Sequence, residues 1–242
     1  MSDEARIALL IDADNCPAGK IEVILDELAK YGVPNVRRAY GNWKSNHLKG
    51  WEDVLHDYAI QPIQQFAYTK GKNATDSAMI IDAMDLLYSN NVDAFALMTS
   101  DSDFTPLVLR LLESGFPVYG FGEKKTPQPF VDSCSVFIYT ENLVKTEEDN
   151  VESATVSKKK SRNELRKDSG LVRLLRTAAE QTAEDDGWSH MSKVAHYISN
   201  NSSFSAVNYG YKKLGDLIRA TELFEIDMRN GGIAMYIKDA RR

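Results

Sequence analysis

Two short apolar runs that end in aspartates constrain the fold of this chain more than any other feature. Residues 7–11 lead directly into Asp12, and residues 95–98 are followed closely by Asp101 and Asp103. Each run is too short for a helix and is typical of a strand buried on both faces of a parallel sheet. Ligands of open α/β sheets bind beyond the carboxyl ends of the strands, so these runs predict an acidic site at one sheet edge.

Strand and helix patterns alternate through the first 145 residues with the spacing of repeated βαβ units. Gly115 is expected to end the last predicted helix as its C-cap. The alternation predicts an α/β domain over residues 1–145 with a mostly parallel sheet. The predicted strands are 6–11, 36–40, 60–66, 94–99, 116–122 and 136–139, and the predicted helices are 18–31, 47–58, 76–88 and 104–114.

The alternation stops at residue 146. Residues 146–167 include the acidic run 147–149 and the lysine run 158–160 but almost no large apolar side chain, which favours a flexible charged linker. The lysine run could contact phosphate, but a solvated hinge is the preferred interpretation.

Residues 168–242 have a second pattern, in which three helices are followed by a hairpin. The helices are expected to begin near residues 168, 190 and 211, with Ser189 as the N-cap of the second. The hairpin is expected to turn at Gly231 and Gly232. Three helices and a hairpin are typical of a small winged helix-turn-helix domain.

The composition excludes several classes of protein. The net charge of −6 argues against a general polyanion binder, and residues 1–145 hold 20 acidic and 13 basic residues, whereas residues 168–242 hold 10 of each. Cys16, Cys134 and the four histidines lack the spacing of a disulfide framework or a zinc site. With no signal-peptide pattern and no apolar run near the ~18 residues of a membrane span, we expect a cytoplasmic protein without a membrane partner.

Four aspartates are candidate metal ligands. Asp76 opens a predicted helix, where it could also act only as an N-terminal cap. Asp82 lies too far around the same helix to face the site. Carboxylates are the ligands that Mg²⁺ and Mn²⁺ prefer, and such a cation activates water and neutralises phosphodiester charge. The four aspartates can lie close together only if the first and fourth strands are neighbours in the sheet. The four candidates are Asp12, Asp76, Asp101 and Asp103.

Residues around these aspartates are candidate substrate contacts. Asn15 could hold a carboxylate or a substrate phosphate, or could be an ordinary turn residue. Lys70 and Lys72 could steer a phosphate backbone, or could be solvated loop lysines. Trp43 lies in a predicted exposed loop and could stack on a base. Asp14 is expected only to cap the helix that follows.

The acidic motifs resemble the NYN domain, which belongs to the PIN-like nuclease group related to LabA-type proteins. The resemblance covers about residues 5–142 and depends on three segments, residues 11–15, 72–76 and 99–104. Many members have glycine where this chain has Ser100. The resemblance implies a Rossmann-like, three-layer domain that cleaves RNA with Mg²⁺ or Mn²⁺. It also implies catalytic and metal-binding roles for Asp12, Asp76, Asp101 and Asp103. The candidate substrate-binding residues beside them are Asn15, Ser100, Lys70 and Lys72.

Residues 168–238 resemble the OST-HTH, or LOTUS, winged-helix domain, on the strength of residues 208–218 and 224–226. The resemblance implies an RNA partner or, alternatively, a protein partner, and the neutral charge of this region leaves both open. The expected contact surface is the third helix with its start, together with the wing. Its residues are Tyr211, Lys212, Lys213, Arg219 and Arg229.

The predicted function is therefore a metal-dependent endoribonuclease with an RNA- or partner-binding module, and two alternatives stay open. Residues 12–14 resemble the Asp-x-Asp loop of haloacid dehalogenase-like phosphatases, although Asn15 stands where Thr or Val is usual and no cap insert follows. The other alternative is a non-catalytic RNA-binding or scaffold protein. The presence of all four aspartates argues against this alternative.

Overall fold

The structure, a computed structural model, describes residues 4–65, 74–89, 91–143 and 159–241. The chain divides into two compact units, Met1–Lys145 and Thr146–Arg242. No helix within the described residues combines the length and the apolarity needed to span a membrane.

A parallel sheet forms the centre of the first unit, which confirms the predicted fold class. Within the described residues it has six strands in the order β3-β2-β1-β4-β5-β6, and every neighbouring pair is parallel. β1 and β4 are neighbours, with Ile11 opposite Met98. This is the strand order that the predicted acidic site requires. The strands are β1 (Arg6–Asp12), β2 (Val33–Gly41), β3 (Gln61–Gln64), β4 (Ala94–Met98), β5 (Val118–Gly122) and β6 (Val136–Tyr139).

Helices flank this sheet and bury its two central strands. All five residues of β4 are buried, as are the last six residues of β1, which confirms that both runs are covered on both faces. Gly115 adopts a φ of +85° after the fourth helix, in agreement with its expected role at the helix end. The helices are α1 (Ile21–Leu28), α2 (Lys49–Asp57), α3 (Ala74–Tyr88), α4 (Thr105–Glu113) and α5 (Gln128–Ser133).

One predicted helix in this unit has the wrong bounds, and one helix was not predicted. The helix predicted over 18–31 begins with a separate 3₁₀ turn, Ala18–Lys20, and its α-helical part already ends at Leu28. α5 was not predicted, because six residues with a proline in the first turn are too few to show helical periodicity. Phe130 and Val131 of α5 are nevertheless buried in the core.

The second unit contains the predicted helices and hairpin. β8 and β9 pair antiparallel, and a short strand β7 joins the outer side of β9. Asn230, Gly231 and Gly232 have positive φ in the connecting turn, as expected for a tight hairpin. The elements are α6 (Arg162–Lys167), α7 (Ser169–Gln181), β7 (Ser189–His190), α8 (Met191–Asn201), α9 (Leu214–Thr221), β8 (Phe224–Arg229) and β9 (Ala234–Asp239).

The predicted linker extends too far toward the C-terminus. Ser161 and Glu164 form a reciprocal capping box at the start of α6, and Leu165 is fully buried in the core of the second unit. Arg166 also donates to the backbone oxygens of Thr221 and Glu222, so this short polar segment is anchored at several points. Residues 146–158 of the predicted linker lie outside the described residues.

The expected N-cap of α8 is also wrong. The Ser189 hydroxyl donates to the backbone oxygen of Ala179 and is therefore occupied within the core. His190 occupies the N-cap position instead, and its ring nitrogen Nδ1 accepts a hydrogen bond from the backbone N–H of Ser192.

Candidate metal centre

Asp12 is the last residue of β1 and is only 1% exposed. Its Oδ2 accepts hydrogen bonds from Asn15 Nδ2 at 3.0 Å and from Thr99 Oγ1 at 3.1 Å. Its Oδ1 is buried and accepts no hydrogen bond from any described residue. A buried carboxylate oxygen without a donor is costly, so this oxygen is suited to a cation or a bound water.

The electrostatics of Asp12 favour such a ligand. Burial raises the pKa of Asp12, while the hydrogen bonds from Asn15 and Thr99 oppose this rise and repulsion from Asp14 adds to it. A divalent cation would stabilise the ionised form and reverse the effect of burial.

The loop after β4 holds Asp101 beside Asp12. Thr99 Oγ1 accepts a hydrogen bond from the Asp101 N–H at 3.2 Å, so one hydroxyl contacts both acidic residues. Asp101 Oδ1 in turn accepts from the Asp103 N–H at 2.8 Å and caps the 3₁₀ turn that leads into α4. Two aspartates separated by one residue are therefore fixed in one turn.

Asp76 lies in the first turn of α3, as predicted. Burial raises its pKa to about 6, and repulsion from Asp12, Asp101, Asp103 and Asp14 adds to the increase. Asp76 is therefore within electrostatic reach of the other three predicted aspartates.

These carboxylates do not form a closed metal cage. Across the described ranges, no three His, Cys, Asp or Glu side chains lie close enough together to hold an ion directly. Mg²⁺ typically keeps several waters and takes only one or two protein carboxylates. The oxygen-only donor set and the unpartnered Oδ1 of Asp12 therefore fit a largely hydrated divalent cation.

Asp14 was expected to cap a helix, and this prediction is wrong. Its Oδ1 accepts from the Asn42 N–H at 3.2 Å and its Oδ2 accepts from Thr75 Oγ1 at 2.9 Å. Asp14 thus joins the end of β2 to the residue that precedes Asp76. The structural roles of Thr99, Asp14 and Thr75 were not predicted, because they depend on which strand ends meet.

Three other residues predicted near the site each form a hydrogen bond within the first unit. Asn15 donates to the Asp12 carboxylate, one of the two active roles considered for it. Ser100 Oγ accepts from the Glu123 N–H at 2.8 Å and so joins this loop to the end of β5. The indole N–H of Trp43 donates to the Ile63 oxygen at 3.0 Å, so this side chain is half-buried rather than exposed.

Of three further predictions about this unit, one can be compared with the structure. Asp82 binds Arg38 and the Tyr40 hydroxyl, in agreement with its exclusion from the site. Lys70 and Lys72 lie outside the described residues.

Two of the contact residues predicted in the second unit already have partners within it. Tyr211 is 6% exposed, and its hydroxyl donates to the Lys160 oxygen at 2.8 Å. Arg229 pairs with Asp227 at 2.8 Å and with Asp186 at 3.2 Å. The burial of Tyr211 argues against a direct contact by its ring, whereas the contact role of Arg229 stays a prediction. The other three predicted contact residues are exposed, and they are Lys212, Lys213 and Arg219.

The fold and the acidic sheet edge define a class of PIN-like α/β domains, and comparison with known families agrees. The NYN domain model matches residues 6–143, and the OST-HTH/LOTUS domain model matches residues 166–235. The chain belongs to the NYN domain family, which is part of the PIN-like nuclease superfamily, and it carries an OST-HTH/LOTUS domain, a type of RNA-binding domain.

Individual relatives match parts of the chain. An uncharacterised protein of Methanocaldococcus jannaschii is 31% identical over 123 residues, which cover 49% of this chain and 48% of that protein. The chain therefore spans about half the length of this relative.

Two solved structures are also similar. A Vibrio parahaemolyticus protein of unknown function has a crystal structure with a TM-score of 0.47 and 19% identity, covering 57% of this chain and 94% of its own. An uncharacterised Nitrosomonas europaea protein, solved by NMR, has a TM-score of 0.27 and 26% identity, covering 39% of this chain and 88% of its own.

Proposed function

We propose that the first unit is a metal-dependent endoribonuclease that hydrolyses RNA phosphodiester bonds, and that the second unit binds the RNA. The observation that carries this proposal is the buried Asp12 Oδ1, which has no donor among the described residues and lies at the sheet edge shared with the other aspartates. Membership of a PIN-like nuclease family supports the choice of a phosphodiester substrate.

Asp12 and Asp101 would hold Mg²⁺ or Mn²⁺, and Asp76 and Asp103 would accept hydrogen bonds from its waters. When bound, the cation lowers the pKa of a water and neutralises charge on the phosphodiester. The surrounding residues keep the carboxylates in place. Thr99 contacts both acidic loops, and the Asp103 N–H fixes the orientation of Asp101.

A phosphomonoesterase is a weaker candidate because of Asp14. In the haloacid dehalogenase-like alternative, the second acid of the Asp-x-Asp loop must be free to transfer a proton. Both Asp14 oxygens already accept hydrogen bonds, from the Asn42 N–H and from Thr75.

The test is cleavage of a labelled, unstructured RNA by the full chain, beside hydrolysis of p-nitrophenyl phosphate. We expect internal RNA cuts with Mg²⁺ or Mn²⁺, no cuts in EDTA, and negligible hydrolysis of the phosphomonoester. Full cleavage in EDTA would overturn the metal dependence. RNA binding without cleavage in either metal would favour the scaffold alternative.

Two variants and a matched control locate the activity. Asp12→Asn and Asp101→Asn should each reduce the cleavage rate by at least the roughly 10–100-fold typical of disturbed metal sites. Asp93→Asn removes the same charge from an exposed carboxylate that precedes β4, at the other end of the strand, where it pairs with Arg6. This control should cleave at the parental rate.

A further inference from the structure

The lysine run before the OST-HTH/LOTUS domain packs on the second unit. The Lys160 N–H donates to the Tyr209 oxygen at 3.1 Å, and the Lys160 oxygen accepts from the Tyr211 hydroxyl at 2.8 Å. The backbone of Lys160 is therefore held by two hydrogen bonds to one segment. The preferred interpretation of this run as a solvated hinge is wrong for Lys160, and Lys158 lies outside the described residues.

Aromatic rings hold the two described lysines of this run. Lys160 Nζ lies 4.5 Å from the centroid of the Tyr209 ring, and Lys159 Nζ lies 5.6 Å from that of Tyr211. The Tyr209 ring also stacks on Phe204, and its hydroxyl donates to Asp168. Cation–π contacts orient an ammonium group without cancelling its charge, which a carboxylate partner would do.

Two further lysines adjoin Tyr211 along the chain. Lys212 and Lys213 directly follow Tyr211 and are exposed. Among the described residues, no carboxylate forms an ion pair with Lys159, Lys160, Lys212 or Lys213, whereas Lys193 pairs with Glu184 and Arg229 with Asp186. We call these four lysines, with Tyr209 and Tyr211, the lysine–tyrosine surface.

This surface adds local positive charge to a region that is neutral in sum. Residues 168–242 hold 10 basic and 10 acidic residues, and Lys159 and Lys160 contribute two further positive charges before them. Lys159 and Lys160 precede residue 166, at which the OST-HTH/LOTUS match begins. The two lysines nearest the ring faces therefore lie outside the matched range.

We propose that the lysine–tyrosine surface binds the RNA phosphate backbone without sequence preference. Tyr211 is buried, and Tyr209 is covered by Lys160 and Phe204, so the rings position lysines and do not stack on bases. Lysine ammonium groups contact phosphates, and phosphate contacts carry no direct sequence information. This inference rests on the proposed function only in taking RNA as the polyanion.

The test measures binding of the full chain to a fluorescein-labelled, unstructured RNA by anisotropy in EDTA, so that it does not depend on cleavage. The variants are Lys159→Glu/Lys160→Glu and Lys212→Glu/Lys213→Glu. Each should weaken binding at least tenfold and reduce the slope of log affinity against log salt by about 2, since each phosphate-bound lysine contributes about 1. An RNA of different sequence should bind equally well.

The matched control is Lys193→Glu/Lys238→Glu, which makes the same charge change elsewhere in the unit. Lys193 pairs with Glu184, and the Lys238 side chain lies near Gly187. This control should retain more than half of the parental affinity. Because Lys160 is half-buried, Lys159→Gln/Lys160→Gln serves as a milder variant, and circular dichroism verifies folding of each protein.

Three outcomes would overturn the proposal. One is unchanged affinity and salt slope in both lysine variants. Another is an equal loss in the control, which would indicate a diffuse charge effect. The third is a folded parent that binds no RNA at low salt, which would favour a protein partner. Binding by this surface without RNA cleavage in Mg²⁺ would instead contradict only the proposed nuclease activity.

Discussion

Thr99 donates its hydroxyl to Asp12 Oδ2 across the neighbouring strands β4 and β1, at 3.1 Å. The same hydroxyl oxygen accepts from the Asp101 N–H at 3.2 Å. Thr99 is fully buried, so this pair of hydrogen bonds is shielded from water. The position of Asp12 therefore depends on a side chain that directly follows β4, 87 residues away along the chain.

Thr99→Val should weaken both the fold and the site. Valine has a similar shape but leaves Asp12 with one donor fewer and the Asp101 N–H without its acceptor. We expect the free energy of unfolding to fall by about 1–3 kcal/mol, the usual cost of an unsatisfied buried polar group. Urea denaturation in EDTA measures this change.

Thr99→Ser is the control, because serine retains the hydroxyl and loses only a methyl group. It should keep most of the stability and of the RNA cleavage activity. Equal stability of the valine variant and the parent would show that the Thr99 hydroxyl contributes nothing to the position of Asp12.

Asp76→Asn should stabilise the metal-free chain at neutral pH. The pKa of Asp76 is about 6 in the folded chain and 3.8 ordinarily. The folded state therefore binds more protons between these pH values, and stability is lost as the pH rises through them. In EDTA the variant should melt at a higher temperature than the parent at pH 7, and this gain should vanish below about pH 4.

Asp93→Asn should affect the stability of the chain at neutral pH in the opposite direction. Hydrogen bonds from Arg6 lower the pKa of Asp93 to about 2. Its ionised form therefore favours folding above its ordinary pKa, and the contribution is lost as the pH falls toward 2. The asparagine variant should not melt above the parent at pH 7. A similar gain in both variants would mean that net charge, not the acidic edge, controls stability.

Limited digestion with a glutamate-specific protease tests the corrected domain boundary. The sequence places Glu147, Glu148 and Glu152 in a polar stretch, whereas Glu164 belongs to the α6 capping box next to buried Leu165. Early cuts should occur at the first three sites and not at Glu164. Mass spectrometry of the fragments identifies the cut positions, and early cleavage after Glu164 would contradict the assignment of α6 to the second unit.

Local patterns were sufficient for the central strands and for the position of one candidate acid. Runs of buried apolar residues identify β1 and β4, and the polar start of α3 identifies Asp76 as a first-turn residue. Which strands are neighbours in a parallel sheet depends on the crossover connections, and these leave no recognisable pattern in a short stretch of sequence. The contacts made by Thr99 and by Asp14 depend on that choice and could not be predicted.

The errors in the second unit have a related cause. Tyr211 was placed at the start of the third helix, but α9 begins at Leu214, and the preceding turn directs Tyr211 inward. Leu165 is one leucine in a polar segment, and only the three-dimensional core shows that it is buried. Single anchoring residues of this kind do not alter the composition on which linker predictions depend.

Anomalous diffraction from crystals of the full chain soaked in Mn²⁺ tests the central claim most directly. We expect a peak at the carboxyl edge of β1 and β4, bound to Asp12 Oδ1 directly or through one water, and absent from crystals of Asp12→Asn. If Mn²⁺ saturates the crystals and the same protein cleaves RNA in the soaking buffer, the lack of a peak at this edge would contradict the assignment of the metal centre.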